Sequence, residues 1–303
     1  MSGPAAAGGG PVAELFASRQ VPLGGIRGMR VDRLLPHRSL RTVGGWCFLD
    51  RFGPQRADMR VLPHPHTGLQ TVTWPLLGEI RHRDSLGNDV LVRPGQLNLM
   101  TAGHGVSHSE FSTGDAPLLH ALQLWLALPA GREGIAPGFE QHTSLPRYES
   151  GGLRATVFIG ALGEARSPAT VHTPLVGADL DLAAGTAARL PLRADFEHAL
   201  LVVEGEVSVA GTPLGAGPLL HLGAGRDELA VSAAASARAV LIGGEPFADD
   251  LVMWWNFVGR DHEDIAAARA AWEEGDRFGR VAGHGSERVP APALPGVRLR
   301  PRS

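Results

Sequence analysis

Pro63-His64-Pro65-His66-Thr67-Gly68 and Val106-Ser107-His108-Ser109-Glu110 each carry two potential metal ligands two positions apart. In a β-strand, residues i and i+2 point to the same face about 7 Å apart, so each stretch can direct both side chains into one interior. Two such strands would supply three imidazoles and one carboxylate to a single ion. This donor set suits iron, manganese, nickel, copper or zinc better than calcium or magnesium.

The composition limits the classes of protein to which this chain can belong. Its 303 residues, 44% of them hydrophobic, are enough for two medium domains with buried cores. The formal net charge of -3 gives no general attraction to nucleic acid, and we expect no direct nucleic-acid binding. The single cysteine, Cys47, excludes an intramolecular disulfide and is interpreted as a core thiol.

The sequence shows neither a membrane span nor a secretory signal. No stretch approaches the roughly 18 uncharged apolar residues of a spanning helix, and the first residues lack a basic start and an apolar core. These features, with the single cysteine, fit a reducing cytoplasm. We therefore expect a cytoplasmic protein without a membrane segment.

Short β-rich runs separated by Gly, Pro and Asn predict an all-β organisation. A connector rich in Gly, Pro and polar residues follows from Pro129 to Ser150, and a second β-rich run follows the connector. The candidate strands of the first run are Leu69–Leu77, Glu79–Asp84, Asp89–Val92, Leu97–Thr101, His108–Phe111 and Leu118–Leu128.

The second β-rich run repeats the centre of the first. Leu77-Gly78-Glu79-Ile80 corresponds to Glu204-Gly205-Glu206-Val207. His64 and His66 precede Gly78, and the matching positions before Gly205 are Pro191 and Arg193, which are not credible ligands. The sequence therefore predicts a repeat without a second metal site.

A helix is predicted from Asp261 to Glu274. Asp261 is a suitable N-cap, Ile265, Ala268 and Trp272 share one face, and Gly275 follows the end. Beyond Gly279, arginines among prolines predict a disordered, solvated tail.

Two further histidines near the predicted site are not predicted to be metal ligands. His82, within Arg81-His82-Arg83, is interpreted as a surface residue or a neighbour of the ligands rather than a ligand. His104, within Gly103-His104-Gly105, is expected either at the mouth of the pocket or in a loop hydrogen bond.

Several segments of the first half together resemble the pirin family of bicupins. They are Pro63-His64-Pro65-His66-Thr67-Gly68, Leu77-Gly78-Glu79, His82-Arg83-Asp84-Ser85-Leu86-Gly87-Asn88, Arg93-Pro94-Gly95, and Met100-Thr101-Ala102-Gly103-His104-Gly105-Val106-Ser107-His108-Ser109-Glu110. The resemblance implies an all-β fold of two tandem cupin barrels, each a double-stranded β-helix, with a short C-terminal helix. It also implies iron in the N-terminal barrel, held by His64, His66, His108 and Glu110.

The resemblance and the patterning together predict the domain boundaries. We expect a disordered N-terminus over 1–15, an N-terminal metal-binding cupin domain over 16–135 and a linker over 136–150. A metal-free cupin domain over 151–260, a helix over 261–279 and a disordered Arg/Pro-rich tail over 280–303 complete the expected chain.

The function implied by the resemblance is that of a quercetin 2,3-dioxygenase, which opens a flavonol heterocycle and releases carbon monoxide. Its cofactor would be Fe(II), with Mn, Co, Ni, Cu or Zn as alternatives. Its substrates would be a small phenolic or flavonoid compound and dioxygen, and Glu110 would be both ligand and catalytic base. We expect a monomer. Gln70 stands where relatives often carry Glu, and His104 replaces a frequent Arg, so the substrate stays open.

Two alternative functions remain open. In the first, the oxidation state of iron controls association with a protein partner, such as a transcription factor or a metabolic enzyme, through the metal-free second barrel, Trp254-Trp255 or the basic tail. In the second, the fold binds metal incidentally and the substrate is a small phenolic compound unrelated to flavonols.

Overall fold

A computed structural model of the protein describes residues 10–22 and 30–301. The first thirteen strands are β1 (Glu14–Phe16), β2 (Arg19–Pro22), β3 (Arg30–Leu35), β4 (Trp46–Arg56), β5 (Arg60–His66), β6 (Leu69–Leu77), β7 (Ile80–Asp84), β8 (Asp89–Val92), β9 (Leu97–Thr101), β10 (Val106–Ser112), β11 (Leu118–Ala127), β12 (Gly138–His142) and β13 (Arg147–Ser150). They are followed by β14 (Leu153–Leu162), β15 (Ala165–Arg166), β16 (Leu175–Leu182), β17 (Thr186–Pro191), β18 (Glu197–Glu204), β19 (Glu206–Val209), β20 (Thr212–Gly215), β21 (Leu219–Gly223), β22 (Glu228–Ala233), β23 (Ala237–Gly244), β24 (Val252–Trp254), β25 (Phe257–Gly259) and the helix α1 (His262–Glu274).

The described residues divide into two compact units. The N-terminal barrel unit comprises 20–22, 30–33, 48–143 and 248–301, and the C-terminal barrel unit comprises 10–19, 34–47 and 144–247. The units differ from the expected domains because segments distant in sequence join each of them. The expected disorder of residues 1–9 and 302–303 lies outside the described residues.

Each unit contains a large and a small sheet, and the two units share most of their strand order. The N-terminal barrel unit has the orders β12-β9-β6-β11-β4-β3-β2 and β5-β10-β7-β8, and also contains the pair β24-β25. The C-terminal barrel unit has the orders β1-β21-β18-β23-β16-β14-β13, with β15 paired to β14, and β17-β22-β19-β20. The sequence repeat is therefore a repeat of sheet topology, except that the edge strand is β12, late in the sequence, in one large sheet and β1, early in the sequence, in the other.

The two glycines that revealed the repeat occupy equivalent turns. Gly78 joins β6 to β7 and Gly205 joins β18 to β19, with φ of +83° and +74°. A Cβ atom at Gly78 would lie 2.7 Å from the carbonyl oxygen of Leu118, and one at Gly205 would lie 2.9 Å from that of Ser236. Both turns therefore require the conformational freedom and small size of glycine.

Residues 10–19 and 34–47 contribute directly to the C-terminal barrel unit. Glu14–Phe16 adds β1 to the edge of β21, so the disorder expected over 1–15 is wrong where that range overlaps this strand. Trp46 donates a hydrogen bond from Nε1 to the carbonyl oxygen of Gly243 at 3.1 Å. Cys47 is fully buried, and burial raises the pKa of its thiol to about 12, which agrees with a core role.

The segment expected as a linker carries two strands instead. Gly138–His142 pairs with β9, and Arg147–Ser150 pairs with β14, each at the end of a large sheet. The Gly and Pro content correctly indicated turns in this segment. It did not reveal the two strands, because their backbone hydrogen bonds are made with strands outside the segment.

The helix and the residues around it form an apolar cluster in the N-terminal barrel unit. Asp261 caps α1 by accepting a hydrogen bond from the backbone N–H of Asp264, and the buried face is the predicted one. The buried residues of the cluster come from β24, β25, α1 and the segment after the helix. They are Val252, Phe257, Ile265, Ala268, Trp272, Phe278 and Ala291. No helix among the described residues is long and apolar enough to cross a membrane.

The described part of the C-terminal tail is packed rather than disordered. Leu294 and Leu299 lie against the apolar cluster of α1, and Trp272 donates to the carbonyl oxygen of Val289 at 2.9 Å. Trp254 and Trp255 also pack against this cluster. Apolar residues between the arginines anchor the tail, and the Arg and Pro content concealed them.

Replacing Trp272 with Ala should lower the free energy of unfolding by about 3–5 kcal/mol, since it removes a buried ring and a hydrogen bond. Arg298→Ala is the control, because the Arg298–Glu263 ion pair is largely exposed and is expected to contribute less than about 1 kcal/mol. Denaturant unfolding measures both values. Equal losses in the two variants would contradict an anchoring role for Trp272.

Candidate metal centre

The small sheet of the N-terminal barrel unit places both ligand pairs on one face. In the antiparallel pair β5 and β10, His108 lies directly opposite His64, and Val106 lies opposite His66. Directly opposed residues share a face, and so do residues two apart on one strand. The register shifts between His108 and Glu110, where an extra length of β5 around Pro63 forms a bulge.

Three imidazoles converge on this face. The ligand atoms of His64, His66 and His108 all lie within 4.8 Å of one another, and all three side chains are buried. Nε2 of His66 and Nε2 of His108 are 3.1 Å apart. The ring centroids of His64 and His108 are separated by 4.4 Å, and those of His64 and His66 by 5.0 Å.

Backbone carbonyl groups determine which nitrogen of His64 and His66 carries the proton. Nδ1 of His64 lies 2.9 Å from the carbonyl oxygen of Leu62, and Nδ1 of His66 lies 3.2 Å from that of Asn256. A carbonyl oxygen can only accept a hydrogen bond, so Nδ1 is the donor in both rings. Nε2 of each ring therefore keeps a lone pair that points into the cluster.

Burial keeps the three imidazoles neutral. Desolvation lowers the pKa of His64 to about 4, although the hydrogen bond to Leu62 opposes the shift. Desolvation, followed by the repulsion that would arise if neighbouring imidazoles were protonated together, holds the pKa values of His66 and His108 well below their usual range. Neutral imidazole is the form that binds a metal ion.

The lone pairs of this cluster fit a metal ion. Two acceptor nitrogens that face each other at 3.1 Å inside a protein repel one another, and no proton lies between them when both rings are protonated at Nδ1. Two nitrogens that are each about 2.1 Å from one ion, at a right angle, lie about 3.0 Å apart. The donor set and its spacing suit a divalent transition metal.

Glu110 lies beside the imidazole cluster but belongs to a second group. A carboxylate oxygen of Glu110 lies within 4.8 Å of ligand atoms of His82 and His108, and His108 is common to both groups. Thr73 donates a hydrogen bond to Oε1 of Glu110 at 2.8 Å. Burial raises the pKa of this carboxyl, while His82 and the Thr73 hydrogen bond oppose the rise.

His82 occupies the second of the two positions expected for it, as a neighbour of the ligands. Its imidazole is buried and faces the ligands, so the surface position suggested by its flanking arginines is wrong. Nε2 of His82 lies 3.0 Å from Oδ2 of Asp84, and its Nδ1 lies 3.4 Å from Nδ1 of His108. The sequence did carry a signal for this burial: in a strand, His82 points to the face opposite to that of Arg81 and Arg83. His104, by contrast, is exposed in a loop, where its backbone N–H bonds to Ile135.

The C-terminal segment of the chain packs on the outer side of β10. The hydroxyl of Ser107 donates to the carbonyl oxygen of Phe278 at 3.0 Å, and the hydroxyl of Ser109 lies 2.9 Å from Nε2 of His284. With the Asn256 carbonyl that accepts from His66, these contacts bring residues after position 248 to the predicted centre. The sequence analysis had assigned no residue after position 248 to the predicted centre.

Comparison with known proteins identifies the family. Residues 28–126 match the Pirin family, and residues 177–279 match the family described as the Pirin C-terminal cupin domain. A Pirin-like protein of Caulobacter vibrioides is 36% identical over 276 residues, covering 86% of this chain and 93% of that protein. The chain belongs to the pirin family.

Two further relatives are more similar to this pirin. A Pseudomonas aeruginosa protein provisionally named quercetin 2,3-dioxygenase is 46% identical over 283 residues, covering 92% of this chain and 89% of that protein. The crystal structure of a quercetin 2,3-dioxygenase from Acinetobacter baumannii matches with a TM-score of 0.90 at 41% identity, covering 95% of this chain and 97% of that one. The predicted resemblance and the all-β bicupin fold are both confirmed.

The C-terminal barrel of this pirin has apolar side chains at the equivalent positions. Strands β17 and β22 correspond to β5 and β10, and their buried apolar side chains belong to one hydrophobic core. They are Ala188, Leu190, Leu229, Val231 and Ala233. None of these side chains can act as a metal ligand, and among the described residues both groups of potential ligands lie in the N-terminal barrel unit.

His198 is a buried histidine of the C-terminal barrel unit. Desolvation, aided by Arg226, lowers its pKa to about 4 from an ordinary 6.5. Between these values the unfolded chain binds a proton that the folded protein does not, so stability should fall as the pH drops from 6.5 towards 4. Denaturant unfolding at pH 7 and pH 5 should show a larger loss in wild type than in His198→Gln. An NMR titration midpoint of His198 near 6.5 would contradict this expectation.

Proposed function

We propose that this pirin binds one divalent metal ion, with iron in the ferrous state as the native metal, through His64, His66, His108 and Glu110. The observation that supports this assignment is the convergence of three buried imidazoles, with Nε2 of His66 only 3.1 Å from Nε2 of His108. Glu110 is the fourth ligand in the proposal, because its buried carboxylate lies within 4.8 Å of a ring nitrogen of His108, the residue that is common to both groups.

We further propose that the protein is a flavonol-cleaving dioxygenase of the quercetin 2,3-dioxygenase type. The names of its relatives in Pseudomonas aeruginosa and Acinetobacter baumannii support this substrate class. A site with four protein ligands also leaves coordination positions free for small molecules.

Glu110 acts as the base in the proposed reaction. When bound, the metal supplies Lewis acidity towards a phenolic hydroxyl and redox access to dioxygen. The carboxylate of Glu110 accepts the proton of the flavonol 3-hydroxyl, and burial shifts its pKa upwards, towards the range of an effective base. Thr73 orients the carboxylate through its hydrogen bond to Oε1.

An aromatic wall beside the centre suits a planar phenolic substrate. The ring of Trp125 meets that of His66 edge-on, with centroids 5.2 Å apart. Trp125 is stacked on Phe48 at 4.0 Å, and both rings are buried. These rings give the site apolar surface that favours an aromatic ligand over water.

The regulatory alternative receives less support from the packing. It rested on the metal-free second barrel, Trp254-Trp255 and the basic tail as surfaces for a protein partner. Trp254, Trp255 and the apolar residues of the tail pack against the apolar cluster of α1 in the N-terminal barrel unit. These contacts favour a structural role for the tryptophan pair and the tail, so the enzymatic function is the one we propose.

Metal analysis of purified protein tests the ligand assignment. We expect about one metal ion per chain in wild type and a large loss in His64→Ala, because two of the three imidazoles do not complete the site. His142→Ala is the matched control, since His142 bonds to Glu140 instead of the cluster. Stoichiometric metal in His64→Ala would contradict the proposed site.

Turnover with quercetin tests the reaction. Iron-loaded wild type should consume dioxygen and release carbon monoxide, and Glu110→Gln should slow turnover by about 10²–10⁴-fold because the amide cannot accept the proton. Glu140→Gln, on a partly exposed strand, should retain activity. Absence of turnover in metal-loaded wild type would exclude quercetin as a substrate, and undiminished turnover in Glu110→Gln would exclude Glu110 as the base.

A further inference from the structure

Strand β7 presents two buried side chains to the ligands of β10. In the antiparallel pair formed by these strands, Asp84 lies opposite His108 and His82 lies opposite Glu110. All four side chains are buried and share one face of the small sheet. His82 and Asp84 are therefore aligned with the proposed ligands by the register of the sheet.

Asp84 is held as an ionised acceptor. Its carboxylate accepts hydrogen bonds from the backbone N–H groups of Leu86 and Asn88, each at 3.0 Å, and from the side-chain amide of Asn88. An ionised carboxylate can only accept, so Nε2 of His82 carries a proton and donates it to Oδ2 at 3.0 Å.

The protonation of His82 determines that of His108. A neutral imidazole with its proton on Nε2 has a lone pair on Nδ1. Nδ1 of His82 lies 3.4 Å from Nδ1 of His108, so His108 is the donor in this long hydrogen bond. The Nε2 lone pair of His108 then points towards His66 and the centre. Phe139, stacked on His82 with centroids 4.6 Å apart, fixes the plane of the His82 ring.

His108 differs from the other two histidines in how its tautomer is set. His64 and His66 donate to backbone carbonyls, which accept whatever the surrounding side chains are. His108 bonds to an imidazole, which could either donate or accept at Nδ1. The choice is made by Asp84, two residues further along β7.

We propose that His82, oriented by Asp84, is a positioning residue that holds His108 in the tautomer required for metal binding. The proposal rests on the metal site proposed above but not on the identity of the substrate. His82 is not itself a ligand in this scheme, because its Nδ1 lone pair is used by His108.

Two substitutions at His82 distinguish the role of its hydrogen-bond acceptor from the role of its ring in packing. His82→Phe keeps a ring that can stack on Phe139 but removes the acceptor, so His108 should place its proton on Nε2 and block the metal-binding nitrogen. His82→Asn keeps an acceptor, since the amide Oδ1 occupies the place of Nδ1. His142→Phe is the control for the loss of a histidine outside the cluster.

Titration of the metal-free proteins with Ni(II) gives the first readout. His82→Phe should bind Ni(II) about 10–100-fold more weakly than wild type, while His82→Asn and His142→Phe should bind close to wild type. Equal affinity in His82→Phe and wild type would overturn the proposal, as would the binding of a second Ni(II) ion that is lost in both His82 variants.

The tautomers of the histidines give a second readout that requires no metal. In ¹⁵N NMR spectra of metal-free wild type, His108 should carry its proton on Nδ1 and His82 on Nε2, and His108 should change to Nε2 in His82→Phe but not in His82→Asn. A wild-type His108 protonated on Nε2 would overturn the proposal even if no variant folded. If wild type shows the expected tautomers but binds no Ni(II), the proposed metal site would be wrong. The hydrogen bonds from Asp84 through His82 to His108 would still be supported.

Discussion

The burial of three imidazoles against one another is the constraint on which the N-terminal barrel depends. Every buried ring nitrogen needs a partner, because an unsatisfied polar group removed from water is costly. Carbonyl groups of Leu62 and Asn256 satisfy Nδ1 of two rings, and His82 satisfies the third. With all three Nδ1 atoms used as donors, the Nε2 lone pairs remain, and a cation is the partner that suits them.

The alternation of side chains along β10 connects the proposed metal centre to the packing of the C-terminal segment. Its inward side chains, His108 and Glu110, face the centre, while the alternate side chains of Ser107 and Ser109 bind the segment that follows α1. One strand therefore carries proposed ligands on one face and holds the C-terminal segment on the other. The same segment supplies apolar packing around Trp272. Folding of the C-terminal residues and geometry of the centre are thus connected through a single strand.

The two barrels show how one topology carries two kinds of interior. Apart from one edge strand of the large sheet, their sheets have the same strand order, and they share the glycine turns at Gly78 and Gly205. The N-terminal barrel places polar ligands on β5 and β10, which must be paired with one another, whereas the equivalent strands β17 and β22 fill their interior with aliphatic side chains. An aliphatic interior is stabilised by burial alone and needs no network of partners. The repeat therefore preserves backbone pairing while the inward side chains differ.

The sequence by itself determined the features that depend on local periodicity and on backbone conformation. Ligands two positions apart identified one face of a strand, glycines marked the turns, and Asp261 marked the start of the helix. These features predicted an all-β organisation and the histidine cluster, and the resemblance to the pirin family implied the bicupin fold. Tertiary structure alone decided that His82 is buried beside His108, that Asn256 accepts from His66, and that the tail is packed. Each of these depends on contacts between residues far apart in the chain or in different strands. Alternation reveals which face a residue occupies, but it does not reveal what covers that face.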